Sequence, residues 1–371
     1  MIVRRLSHLK DWYEHNERRV SSLSLIAGFI FDSLTLQRVD SLFENLWSVG
    51  NLVVVGVCIV LLHRHENTEE DREDVDHLGD DPRMHFWIFN IMQFSFGALL
   101  GASFIFYFRS ATLSVSWPFL ALVLVAMFAN EFLKKHYDRL LFQISFLYLS
   151  IFIFLIYFVP VIIHQLGATV FLASGVSSLI VLWGFIKILE RFSKDDFKTN
   201  SRPVVVSVAS IFLIINILYF TNIIPPIPLA LKDAGIYHSV SRTASGGYAV
   251  TEDSGGWLDY LRLSDRVYWV SGTSLYAYSA VFSPTDLDTN IVHEWQYKDE
   301  ETGGWIDAGR IPLRLTGGRA EGFRTYSVKS NLNPGKWRVN VVTPRGAVIG
   351  RINFKIISSS ANPDREVRVI K

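Results

Sequence analysis

Long apolar runs fill the first 224 residues, and short runs alternating apolar with polar follow. Seven long runs fall at 20–37, 46–62, 86–108, 111–133, 141–163, 167–187 and 204–224. A helix rising ~1.5 Å per residue needs about 20 residues to cross ~30 Å of hydrocarbon, so these runs predict about seven transmembrane helices. The first is the weakest, because Asp32-Ser33 interrupts it; no small-x-small site follows, so it reads as an uncleaved helix and not a signal peptide. The last run ends at Ile224-Pro225-Pro226-Ile227-Pro228, where missing amide donors and fixed φ angles stop the helix and favour a stiff, extended exit.

Beyond the prolines the period drops to two. Alternating runs at 274–282, 290–298, 309–315, 323–330, 336–342 and 347–357 are separated by Gly, Pro, Asp and Asn clusters, which predicts an antiparallel β domain. Trp337, Val339 and Val341 share one face, with Lys336, Arg338 and Asn340 on the other; Val348, Ile352, Phe354 and Ile356 alternate against Arg351, Asn353 and Lys355. One packed face and one wet face suit an immunoglobulin-like sandwich, with Pro344-Arg345-Gly346 closing the last hairpin. The Gly-rich stretch from Ser245 to Trp257 reads as a loop or irregular hairpin that brings Trp257 and Tyr260 to the membrane interface. The expected organisation is an N-terminus at 1–19, a helical membrane domain at 20–224, a Pro-rich linker at 225–235, a β-sandwich at 236–358 and a polar tail at 359–371.

Charge gives the helices a direction. With the N-terminus inside, the inner segments carry Arg4, Arg5, Lys10, Arg18 and Arg19; Arg64, Arg72 and Arg83; Lys134, Lys135 and Arg139; and Lys187, Arg191, Lys194, Lys198 and Arg202. The outer loops carry only Arg38 and Arg109. Sixteen basic residues against two follow the positive-inside rule and put everything after residue 225 outside. Composition agrees: half the residues are hydrophobic and mean hydropathy is +0.26. A net charge of +1 makes nucleic acid an unsuitable partner. Cys58 is the single cysteine, so the β domain must hold together without an intrachain disulfide.

Candidate chemistry is sparse. On a strand, His293 and Trp295 share a face with Ile291 and Tyr297, and Ser327 shares one with Lys329. With Arg324, these residues predict a surface for a sugar, a peptide end or a phosphate, since aromatic rings suit sugars and Lys or Arg suits anions. The blander alternative, which the residue types favour, has Trp295 and Tyr297 as core anchors and His293 in one structural hydrogen bond. A Ser327/Lys329 catalytic dyad has no accompanying oxyanion motif. Within the membrane runs, Asp32, Asn90, Gln93 and Glu131 stand out, with Asn51, His164 and Asn216. Asp32 is placed to pair with Arg38 or Arg109, and Glu131 lies beside Lys134 and Lys135; both read as interfacial ion pairs. Gly97-x-x-x-Gly101 reads as a helix-packing site. His63, His65, Glu66, His77 and His85 lack zinc-site spacing and read as a solvated acidic loop. No metal, cofactor or catalytic constellation is implied, and Walker, Rossmann and zinc-protease motifs are absent.

Six ordered motifs carry a family resemblance: Ala280-Val281-Phe282-Ser283-Pro284, Ile291-Val292-His293-Glu294-Trp295, Gly317-Gly318-Arg319, Gly322-Phe323-Arg324, Tyr326-Ser327-Val328-Lys329 and Pro334-Gly335-Lys336-Trp337-Arg338-Val339. Together they resemble the bacterial domain of unknown function 2914. The resemblance implies a multi-pass inner-membrane protein of Gram-negative type with its tail in the periplasm, and it implies no reaction. The expected partners are the lipid bilayer and another envelope component, whether protein, glycan or lipid head group; the sequence leaves oligomerisation open. The alternative is a transporter or enzyme acting on a lipid-linked or small substrate, with the sandwich as an accessory.

Overall fold

The computed structural model describes residues 40–70, 82–132, 140–192, 194–244, 246–254, 265–284, 288–316, 321–360 and 364–370. Two compact units divide the chain. The first is helical and takes in residues up to Phe108, Pro118–Val159 and Ala168–Phe220; the second holds Arg109–Trp117, Pro160–Gly167 and Thr221–Lys371.

Six helices occur among the described residues: α1 (Leu42–Glu70), α2 (Pro82–Ser110), α3 (Leu113–Phe132), α4 (Leu140–Ile163), α5 (Ala168–Phe192) and α6 (Lys194–Phe220). Five of them are long and apolar enough to cross a membrane, and α3 is apolar over the shorter span Leu113–Phe128. The expected helix at 20–37, with Asp32, lies outside the described residues, as do His77, Trp257 and Tyr260. At 188–203, expected as a loop, the backbone is helical on both sides of residue 193. No residue there lacks an amide donor before Pro203, which sits inside α6.

The outward surfaces of these helices are apolar. Leu42, Trp47, Val53, Trp87, Trp117, Trp183, Val205 and Leu213 are all exposed, an arrangement that hydrocarbon solvates and water does not. Inside the unit, aromatic rings interlock: Phe171 and Tyr219 stack at 3.5 Å, and Phe152 meets Phe212 at 5.7 Å. A Cβ on Gly175 would lie 3.2 Å from Phe212 and 3.4 Å from Phe152, and one on Gly56 would lie 3.3 Å from Phe185. At Gly97 a Cβ would meet nothing within 4 Å among the described residues.

The second unit is β-rich and consists of β1 (Ala230–Tyr237), β2 (Ser239–Arg242), β3 (Tyr248–Asp253), β4 (Asp265–Trp269), β5 (Leu275–Phe282), β6 (Asp288–Lys298), β7 (Trp305–Thr316), β8 (Phe323–Lys329), β9 (Gly335–Val342), β10 (Val348–Ser358) and β11 (Arg365–Ile370). Three sheets result, ordered β1-β5-β8, β4-β10-β9-β6-β7 and β11-β3-β2. All pairings are antiparallel except β4 with β10. The six strands expected from 274 to 357 all form. Pro344-Arg345-Gly346 closes the β9–β10 hairpin, with Gly346 at φ 88° and Thr343 N–H bonded to Ala347 O at 2.9 Å.

The sheet β1-β5-β8 forms the middle layer. Its Ile236, Leu275, Ala277 and Val281 pack with Trp295, Trp337, Val339, Val341 and Phe354 of the five-stranded sheet. Its opposite face, with Tyr237, Tyr278 and Ala280, packs on Val240 and Val250 of the third sheet. A strand buried on both faces reads as continuously apolar, and β5 is buried at nearly every position. The third sheet departs from expectation. Residues 365–370, expected as a polar tail, pair with β3 from Arg365↔Asp253 to Ile370↔Tyr248, because Val367 and Val369 alternate with Glu366 and Arg368 in a strand pattern. Likewise β1 starts at Ala230, inside the expected linker, where the register shift between Leu231 and Asp233 breaks the alternation.

One turn depends on a glycine. Gly322 has φ +92°, and a Cβ there would lie 3.0 Å from the backbone of Ala280 and Val281. Gly322→Ala is expected to cost about 1–3 kcal/mol of β-unit stability. Gly272→Ala, at φ +85° with nothing within 4 Å, is expected to cost less. Urea titration of the full chain, read by hydrogen exchange in β5 and β8, checks the difference.

Candidate functional site

The residues expected to form a binding face partly converge. His293, on β6, accepts or donates at both ring nitrogens: Nε2 lies 2.9 Å from Ser279 Oγ and Nδ1 lies 2.9 Å from Ser327 Oγ. Trp295 Nε1 donates to the same Ser327 Oγ at 3.0 Å. The set is complete when Ser327 accepts from Trp295 and donates to Nδ1, leaving Nε2–H to donate to Ser279. These groups lie between two sheets, with His293 and Trp295 0% exposed and Ser327 3% exposed. Burial pushes the His293 imidazole down to about 4, so it is neutral near pH 7.

Lys329 and Arg324 stand apart from this group. Lys329 Nζ donates to Ala308 O, a carbonyl at the β-bulge where the β6–β7 register shifts between Trp295 and Gln296. Arg324 pairs with Ala280, on the face turned to the third sheet, and bonds Glu321 at 2.8 Å.

The expected intramembrane polar residues are absorbed by the helices. Asn51 donates to Trp47 O at 2.9 Å and Asn216 to Phe212 O at 2.8 Å, the back-bonding open to a polar residue inside a helix. Gln93 is buried, Asn90 is half-buried, and the Glu131 side chain lies outside the described residues. His63, expected in a solvated acidic loop, is instead buried at the end of the apolar span Leu42–His63, with its Nε2 3.1 Å from Gln143 Oε1. A further buried polar grouping not expected from sequence places Tyr157 beside Ser48, Ser103 and Glu44. Among the described residues no three His, Cys, Asp or Glu side chains gather as metal ligands.

The most developed polar surface is the outer face of the five-stranded sheet. Alternation from Trp295 and Val339, which face inward, turns Glu294, Gln296 and Lys298 of β6 outward, with Lys336, Arg338 and Asn340 of β9. Register adds Trp305, Asp307, Arg310 and Arg314 from β7, Arg351, Asn353 and Lys355 from β10, and Arg266 from β4. From the Asn290 row to the Lys298 row the face therefore carries eight basic residues and two acidic ones.

Local structure holds this face together. The β6–β7 turn is set by Asp299, which accepts from the Thr302 hydroxyl at 2.6 Å and its amide at 3.1 Å; these bonds hold its carboxyl below the usual range. That turn delivers Trp305 beside Arg338, whose guanidinium lies 4.1 Å from the ring centroid. Gln296 Oε1 accepts from Arg338 Nε at 2.7 Å and Asn340 Nδ2 at 3.2 Å, and Gln296 Nε2 donates to Asp307. Arg351 Nε donates to Asn340 Oδ1 at 2.7 Å and Nη1 to Ser114 Oγ at 3.0 Å. Arg310 and Glu294 form an ion pair at 3.0 Å. Burial lowers the pKa of Arg338 and Arg351 from the ordinary arginine value, and for Arg338 the neighbouring Arg351 charge adds to the effect.

Residues 288–356 match the family described as protein of unknown function DUF2914. The matched stretch runs from β6 into β10 and contains most of this basic face, and it lies C-terminal to the apolar helices. No curated protein matches the chain. Among solved structures, a beta-glucosidase from Listeria innocua in complex with gluconolactone is 13% identical over 30% of this chain and 16% of its own, with a TM-score of 0.19. The Pseudomonas fluorescens alkylpurine DNA glycosylase AlkC, bound to DNA with an abasic site analog, is 10% identical over 84% of this chain and 98% of its own, with a TM-score of 0.22. Overlap at these scores carries neither fold nor activity across.

Proposed function

We propose that this chain is a membrane-anchored binding protein: the helices hold the β-rich unit at a bilayer, and the outer face of the five-stranded sheet docks an anionic envelope component. The observation that carries this reading is the excess of eight cations over two carboxylates on one sheet face, cross-braced by Gln296 and Asn340. Such a face raises the local concentration of anions and would otherwise be paid for in self-repulsion. In the full form of the reading, residues 20–37 supply a seventh span, the N-terminus is cytoplasmic, and the β unit faces the periplasm of a Gram-negative inner membrane as a sandwich of immunoglobulin-like kind. The sixteen-to-two distribution of basic residues supports this direction. So does the presence of the α2–α3 and α4–α5 connections and the end of α6 in one unit with the strands.

The residues first expected to bind, His293, Trp295 and Ser327, then serve as the sealed interior that keeps the two sheets in register. The test is charge reversal on exposed positions. Lys336→Glu with Lys355→Glu leaves the interior untouched and is expected to release co-purifying envelope material from the full chain in mild detergent. Normal expression and unchanged hydrogen exchange of β9 and β10 establish that the variant is folded. A folded double variant that retains everything the unaltered chain retains would count against the reading.

A further inference from the structure

We infer that the outer face of the five-stranded sheet binds the phosphate groups of anionic lipids in the same bilayer that the helices occupy; this rests on the reading of that face as an anion-docking surface. Three observations point to a lipid. The first is where the face begins. Arg351 Nη1 donates to Ser114 Oγ at 3.0 Å, in the first turn of α3. Only Ala111 and Thr112 separate α3 from α2, whose apolar span runs Trp87–Ser110. A connection between two apolar helices falls at the polar boundary of a bilayer, so Arg351 belongs at head-group level.

The second is reach. From Arg351 the face continues along β10 to Lys355, four residues at ~3.3 Å each, or about 13 Å. That distance exceeds the Debye length of ~8–10 Å at moderate salt but lies well inside the ~30 Å reached at about 0.01 M. At low ionic strength Lys355 and its neighbours Lys336 and Arg266 therefore stand within the field of a charged membrane surface.

The third is composition. Trp305 and Tyr268 share the face with the cations, and amphipathic aromatics beside Lys and Arg suit the head-group layer. Arg338 covers one side of the Trp305 ring. Arg338 and Arg351 are linked through Gln296 and Asn340, and the Arg351 charge disfavours that of Arg338; a bridging phosphate would offset that repulsion as no neutral ligand can.

Lysine footprinting of the unaltered full chain tests the inference. The chain is reconstituted in nanodiscs of phosphatidylcholine alone or of an equal mixture with phosphatidylglycerol, acetylated briefly, and read by mass spectrometry at Lys298, Lys336 and Lys355. Several-fold slower acetylation of Lys336 and Lys355 in the anionic discs, reversed by high salt, is the expected result. Equal rates in both kinds of disc would overturn it. Inorganic phosphate added to the neutral discs is a separate arm: if it protects the lysines as well as the anionic lipid does, the site takes a soluble anion and the lipid assignment fails. Should the lysines react equally while the Lys336→Glu/Lys355→Glu chain still loses its co-purifying material, the face binds a different envelope component and only the lipid assignment falls.

Discussion

Trp295→Ala is expected to remove about 3–5 kcal/mol from the stability of the β-rich unit, the range measured when a fully buried aromatic is truncated. Trp295 is 0% exposed, meets Phe354 edge-on at 6.2 Å, and packs with Trp337, Val339 and Ile352. Its loss opens a cavity between the five-stranded sheet and the β1-β5-β8 sheet and also strips Ser327 Oγ of the indole donor it accepts from at 3.0 Å. Trp295→Phe fills most of the volume and loses only the hydrogen bond, so it is expected to cost roughly 1–3 kcal/mol. Urea titration of the full chain in detergent, followed by hydrogen exchange of β6 and β9, separates the two variants. Equal, small losses would mean that Trp295 is not the anchor of this core.

The second large effect is acid sensitivity. Burial holds the His293 imidazole at about 4, against an ordinary value near 6.5. The unfolded chain therefore binds a proton below about pH 6.5 that the folded chain refuses until pH falls below about 4. Stability contributed by the neutral imidazole is fully present above pH 6.5, declines as pH falls through the window from 6.5 to 4, and is constant below it. A depression of this size corresponds to about 3 kcal/mol across the window. His293→Gln keeps a group that hydrogen-bonds Ser279 and Ser327 but cannot titrate. It is expected to be somewhat less stable than the unaltered chain at pH 7.5 and to lose less on transfer to pH 4.5. Identical pH dependence in the two chains would show that His293 binds its proton alike in the folded and the unfolded chain, and would contradict the depressed value.

Local pattern made much of this legible. The runs from 46 to 224 became helices because their length and apolarity leave few other solutions in a bilayer. The strands from 275 to 358 became strands because a period of two is explicit in Trp337-Arg338-Val339-Asn340-Val341 and its neighbours. The third sheet was not legible. Its β11, Arg365–Ile370, has exposed valines and a sequence polar enough for a tail, and it becomes a strand only because β3 offers an edge. The start of β1 was hidden by its register shift.

The two sites failed in opposite ways. His293, Trp295 and Ser327 were correctly grouped by face, yet which side of the sheet would be sealed depended on β5 and β8 pairing and presenting Ser279 and Ser327 to the imidazole. The basic side chains of β9 and β10 were visible as wet positions. They became one surface through the strand order β4-β10-β9-β6-β7, which joins segments more than fifty residues apart and is not written in any local period. A count of cations on the polar face of each amphipathic strand would have flagged β9 and β10 from sequence.

Photo-crosslinking in living cells addresses the central claim most directly. A crosslinking amino acid is placed at Lys336 or Lys355 on the outer face of the five-stranded sheet and, as comparison, at exposed Val367 on β11 of the third sheet. The account predicts that the outer-face positions capture an anionic envelope component and that Val367 captures none. Capture from Val367 with nothing taken by Lys336 or Lys355 would contradict it.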